Sequence, residues 1–154
     1  MSSIALKILR MLEKSGDASL EEIAKLIPKN HGDHRDFYVF ASLITRELIN
    51  DPFITDDKKE SVGKNTKEQL LARKYFAMSN AEKTATYQNH SWSIHGGAET
   101  LKGQRFALSG PGYLYLSELM TKRFDRAFTI GSGILIGIVV ALTAVLIERY
   151  TKGV

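Results

Sequence analysis

The stretch AFTIGSGILIGIVVALTAVLI, Ala127–Ile147, runs for twenty-one residues without a charge and stops seven residues before the last residue of the chain. At about 1.5 Å per residue a helix of this length rises roughly 31 Å, the thickness of a bilayer's hydrocarbon core. A buried helix of a water-facing domain carries a polar stripe, and this segment offers only Thr129, Ser132 and Thr143. The stretch therefore reads as a single transmembrane helix, a tail anchor. Lys122, Arg123 and Arg126 precede it, and Arg149 and Lys152 follow. The larger basic cluster and the lack of a leading export signal place residues 1–126 in the cytoplasm and 148–154 outside, in an inner-membrane, single-pass topology. The absence of cysteine agrees with a reducing compartment.

The remaining 126 residues are enough for one domain with its own core. Their charge is uneven. Residues 1–60 carry nine Lys/Arg against eleven Asp/Glu, whereas residues 61–126 carry ten against five, so the basic half lies next to the expected span.

Working outward from there, helices come first. Ile4, Leu6, Ile8, Leu9 and Leu12 repeat at helical spacing and Gly16 ends the run, which predicts a helix over 3–15. Ser19 with Glu22 forms a capping-box pattern opening a short helix that Pro28 stops. Phe37, Phe40, Leu43, Ile44 and Leu48 predict a third helix ending near Asn50. Residues 51–66 read as a charged loop, and Thr66 with Gln69 as the cap of a fourth helix. From Ala81 to Leu108 the pattern changes to β-branched and aromatic residues around Gly96-Gly97, predicting two short strands, TATYQNHSWSIHGG and QRFALS, joined as a ribbon. Ser109 and Pro111 then start a last helix faced by Tyr113, Leu116, Leu119 and Met120.

Three helices, a ribbon and a closing helix follow the order of a winged helix-turn-helix domain. The segment RFALSGPGYLYLSEL, with Ser109, Gly112, Tyr115 and Leu116, resembles the end of the wing in winged-helix repressors of the MarR and PadR kind. The fold expected is mainly α, an α+β winged-helix-like domain followed by a single transmembrane helix. The resemblance implies DNA binding, with the third helix in the major groove. Arg35, Tyr38, Ser42, Thr45 and Arg46 would stand on its outer face. Asp36 and Glu47 stand beside them in a net-acidic half, and phosphate neutralisation dominates nucleic-acid affinity. The later basic cluster, Lys64, Lys67, Arg73, Lys74, Lys83, Lys102 and Arg105, is the stronger candidate surface for nucleic acid, with Tyr87, Trp92 and Phe106 available for stacking.

Catalysis and cofactors find little in the sequence. His31 and His34 with Asp33 and Asp36 are the one group with metal-ligand residue types, and a polar turn explains them as well. Gly96-Gly97 lacks the Gly-Lys-Ser/Thr of a phosphate-binding loop, and no nucleophile elbow is present. No enzyme, metal or cofactor is expected. In the span, Thr129, Gly133, Gly137 and Ala141 recur every four residues, a small-residue face suited to self-association. Two functions follow as expectations. One is a membrane-tethered binding or sensing module for nucleic acid or a cytoplasmic protein partner, with membrane lipid and other copies of the chain as further partners. The alternative is a membrane-disrupting effector of a bacterial antiviral or toxin system, triggered through the cytoplasmic domain.

Overall fold

The structure, a computed structural model, describes residues 3–51, 64–94 and 100–152; within these, the side chains of residues 64–66, 123, 124, 126, 127, 131 and 144–152 lie outside the description. Helix α1 (Ser3–Ser15) buries Ala5, Ile8, Leu9 and Leu12 on one face. It stops where Gly16, at φ 81°, supplies the left-handed residue that closes a helix end, its N–H donating to the Leu12 carbonyl at 2.9 Å. Strand β1 (Asp17–Ser19) follows directly, and Ser19 then caps α2 (Leu20–Leu26) through the full capping box with Glu22. The next two N–H groups at the start of α2, those of Leu20 and Glu21, donate to the carbonyls of Gln104 and Lys102 at 2.8 and 2.9 Å.

A 3-10 turn (His34–Phe37) leads into α3 (Tyr38–Thr45), which is shorter than the periodicity predicts. Glu47 adopts φ 59°, and Leu48 N–H reaches back to the Leu43 carbonyl at 3.0 Å, so a left-handed stop ends the helix and frees Ile49–Asn50 to form β2. Helix α4 (Lys64–Met78) begins ahead of Thr66, so the expected cap at that residue is corrected. The expected loop over 51–66 falls largely on residues 52–63, and the Gly96-Gly97 turn on 95–99, both outside the described residues.

The strand pairing also departs from expectation. TATY and HSWS form a hairpin of their own, β3 (Thr84–Tyr87) with β4 (His90–Ser93), turned by Gln88 and Asn89 at φ 45° and 64°. Two adjacent left-handed residues give the turn twist that hairpins favour, here without glycine. Strand β5 (Arg105–Leu108) does not join that ribbon. It lies between β1 and β2, antiparallel to both, with Ala18 opposite Phe106 and Ile49 opposite Leu108. The expected wing, in which 81–94 pairs with 104–109, is therefore absent among the described residues. Phe40 of α3, Tyr75 of α4 and Phe106 of β5 meet as three edge-on rings with centroids 5.1–5.3 Å apart, all essentially buried, and join helices and sheet into one core. The Tyr75 hydroxyl donates to the Asp51 carboxylate.

Helix α5 (Gly110–Lys152) is 43 residues long. The chain divides into two compact units, residues 1–116 and 117–154, so α5 gives its first seven residues to an α+β domain and the rest to a helical unit. Among the described residues no helix is long and apolar enough to cross a membrane. This corrects the expected transmembrane helix at 127–147, and with it the tail anchor and the single-pass inner-membrane location.

Candidate binding cleft

The segment SGPGYLYL, read from the sequence as the end of a wing, is the clamp that builds the site. Ser109 N–H donates to the Leu48 carbonyl at 3.2 Å, its hydroxyl donates to the Glu47 carbonyl, and its oxygen accepts from Gly112 N–H at 3.0 Å. Ser109 thus caps α5 and fastens that cap to the turn between α3 and β2. Gly112 lies against the same turn, where a Cβ would fall 2.1 Å from the Leu48 carbonyl oxygen. Leu116 is buried one turn later. Tyr115 is thereby set across from α3.

The result is a cleft of about 410 Å³ lined by Ala5 of α1, Tyr38, Val39, Ser42 and Leu43 of α3, Arg46 and Leu48 of the turn, Glu68 of α4 and Tyr115 of α5. Its volume falls in the usual range of ligand sites. The walls are apolar, and the polar groups are three hydroxyls, one guanidinium and one carboxylate. The carboxylate is held in place, because Thr45 Oγ1 donates to Glu68 Oε1 at 3.0 Å. The edge-on contact of Phe37 with Phe76, 6.0 Å between centroids, keeps α4 against the 3-10 turn at the other end of α3.

The structure gathers three of the expected nucleic-acid residues here, Tyr38, Ser42 and Arg46. It disperses the others. Arg35 lies in the 3-10 turn and is tied to Asp33, its Nε 2.9 and 3.0 Å from the two carboxylate oxygens; these hydrogen bonds lower the Asp33 pKa to about 2. Arg105 makes a two-point pair with Asp17 at 2.6 and 2.8 Å, and Lys102 pairs with Glu82 at 3.0 Å. Lys74 is half-buried with its ammonium 5.2 Å from the Tyr75 ring centroid, and burial lowers its pKa. Arg73 is also half-buried, with a buried Nε that has no hydrogen-bond partner among the described residues. Lys67 is exposed, and the Lys64 side chain lies outside the described residues. Three of these cations would bring their own counter-charge to any phosphate, which weakens the electrostatic term on which nucleic-acid affinity rests.

The stacking candidates divide in the same way. Phe106 is a core residue, 1% exposed, and is corrected as a stacking platform. Trp92 stacks on His90 with 5.8 Å between centroids. Tyr87 packs on Phe76 and holds His34, whose Nδ1 is 3.1 Å from its hydroxyl. Asp33 and Asp36 are occupied by backbone N–H groups, Arg35 for the first and His31 and Gly32 for the second. Among the described residues no group of three or more His, Asp or Glu side chains is placed to hold a metal ion.

No family model, curated protein or solved structure matches the chain. The resemblance to winged-helix repressors is thus without family support, and the residues that carried it, Ser109, Gly112, Tyr115 and Leu116, have the structural work described above. The place of Glu68 and Leu48 in a cleft was not legible in the sequence, which marked Leu48 only as part of an apolar repeat, because the cleft joins segments far apart in the chain; the Tyr115–Leu116 pair marked the right segment for a different reason.

The His34 contact carries a pH prediction. Burial between Tyr38 and Tyr87 lowers its pKa below the ordinary 6.5, Asp33 opposes that shift, and Arg73 and Arg35 add to it. The folded state then binds fewer protons than the unfolded chain, so this contribution to stability is present above pH 6.5 and is lost as pH falls through the folded-state value. The thermal midpoint should drop between pH 7 and 5, and His34→Gln should flatten that drop. Superimposable slopes for the two proteins would remove His34 as the cause.

Proposed function

We propose that residues 1–116 form a non-catalytic binding module whose ligand sits in the cleft between α1, α3, α4 and the start of α5. The observation that carries this reading is that Tyr38, Ser42, Arg46 and Tyr115 line one cleft with apolar side chains, together with a Glu68 held by Thr45. Such a lining suits a molecule with an apolar body and one anionic or hydrogen-bonding end directed to Arg46. A nucleic-acid role is less favoured, because Arg35, Lys102 and Arg105 are paired with carboxylates and Lys74 is half-buried. The tethered and membrane-disrupting forms of the function lose the span on which both rested.

The full chain can be titrated with 8-anilinonaphthalene-1-sulfonate, an apolar ring system with an anionic group. One saturable site is expected. Arg46→Glu should weaken it about tenfold or more, in line with loss of a charge-assisted hydrogen bond, and Ser42→Phe should fill the cleft and abolish it. Binding indifferent to both substitutions, or tight salt-dependent binding of a DNA duplex that neither affects, would overturn the reading.

A further inference from the structure

We propose, resting on the reading of residues 1–116 as a binding module, that the ligand of the cleft is a zwitterion, a free α-amino acid with an apolar side chain. Two opposite charges line the cleft, those of Arg46 and Glu68. Their nearness is set by the fold. Glu68 Oε1 accepts from Thr45 Oγ1 at 3.0 Å, and Thr45 directly precedes Arg46, so the carboxylate is held beside the residue that carries the guanidinium. None of the ion pairs among the described residues joins the two or uses either of them. The cleft thus offers a ligand one cation and one anion in the same stretch of its wall.

Electrostatics then select the ligand. A molecule whose only charge is anionic, seated on Arg46, brings that charge close to the half-buried Glu68, where like charges repel more strongly than in open water. A molecule whose only charge is an ammonium meets the same obstacle at Arg46. One head group satisfies both, a carboxylate and an ammonium on a single carbon: the carboxylate accepts from the guanidinium, and the ammonium donates to Glu68. Beyond that head group the lining is Ala5, Val39, Leu43 and Leu48 with the rings of Tyr38 and Tyr115, which suits a hydrocarbon or aromatic side chain and leaves a charged one without a partner. Discrimination comes as much from repulsion of the singly charged analogues as from attraction of the zwitterion.

Displacement of 8-anilinonaphthalene-1-sulfonate from the full chain distinguishes the ligand classes. L-Phenylalanine and L-leucine should compete with the dye, and L-phenylalanine should bind about tenfold or more tightly than hydrocinnamate, which lacks its ammonium, and than phenethylamine, which lacks its carboxylate. Glu68→Gln keeps an acceptor for Thr45 and removes the charge. It should weaken L-phenylalanine about fivefold or more while strengthening hydrocinnamate and the dye, a change of opposite sign that a disturbed fold would not produce. Hydrocinnamate binding as tightly as L-phenylalanine would overturn the proposal, as would a Glu68→Gln effect of the same direction on both. A saturable dye site that answers to Arg46→Glu but yields to neither amino acid would overturn the ligand class and leave the binding module standing, whereas absence of a dye site would overturn both.

Discussion

Gly112→Ala should lower the thermal midpoint of the α+β domain by on the order of 10 °C, a loss of about 3 kcal/mol. Alanine is ordinarily the better helix residue, and in an exposed helical position the exchange would stabilise. Here the added methyl would sit 2.1 Å from the Leu48 carbonyl oxygen and 3.0 Å from its carbon. Both are backbone atoms, held by the Ser109 bridge, so α5 must lift from the α3–β2 turn. Gly110→Ala is the internal control, because a Cβ there meets nothing within 4 Å. Its midpoint should stay within a few degrees of the parent. Equal midpoints for the two variants in differential scanning calorimetry would contradict the close approach at Gly112.

Phe106→Ala is expected to cost about 4 kcal/mol, the usual penalty for emptying a buried aromatic site. Phe106 is the only member of the three-ring cluster on the sheet, and its loss leaves Phe40 and Tyr75 facing a void. Against a typical total of 5–15 kcal/mol the variant is near unfolding, so Phe106→Leu provides a graded second point at about 1–2 kcal/mol. Urea titrations followed by Trp92 fluorescence would give both values. Midpoints unchanged in both variants would mean that the rings do not hold α3, α4 and β5 together.

Local signals were legible and distant ones were not. The apolar spacing of α1 and its stop at Gly16 read correctly to the residue, as did the Ser19–Glu22 box and the serine that opens α5. Each depends only on neighbours within one helical turn. The end of α3 was missed because its left-handed stop is Glu47, a residue type that carries no such signal, and the hairpin because Gln88-Asn89 replaces the usual glycine. Strands of two to four residues leave almost no periodicity, and their partners lie 59 and 88 residues away. The same distance hid the site. Lys102 and Arg105 looked like parts of one basic surface, and Arg35 like a groove contact of the third helix, until their carboxylates arrived from elsewhere or from the same turn. The uncharged run at 127–147 read as a span on composition, and no described helix meets the length and apolarity that crossing needs.

The position of β5 in the middle of its sheet imposes an order on assembly. Strands β1 and β2 are edges with no common neighbour until residues 105–108 have been synthesised, so the first hundred residues emerge with the sheet's place empty. Closure is a late, long-range event, and the domain should fold more slowly than a helical protein of equal size. The segment between Asp51 and Gln104 carries α4, whose Tyr75 completes the ring cluster with Phe40 and Phe106, so packing of α3 on α4 can precede the strand that closes the sheet.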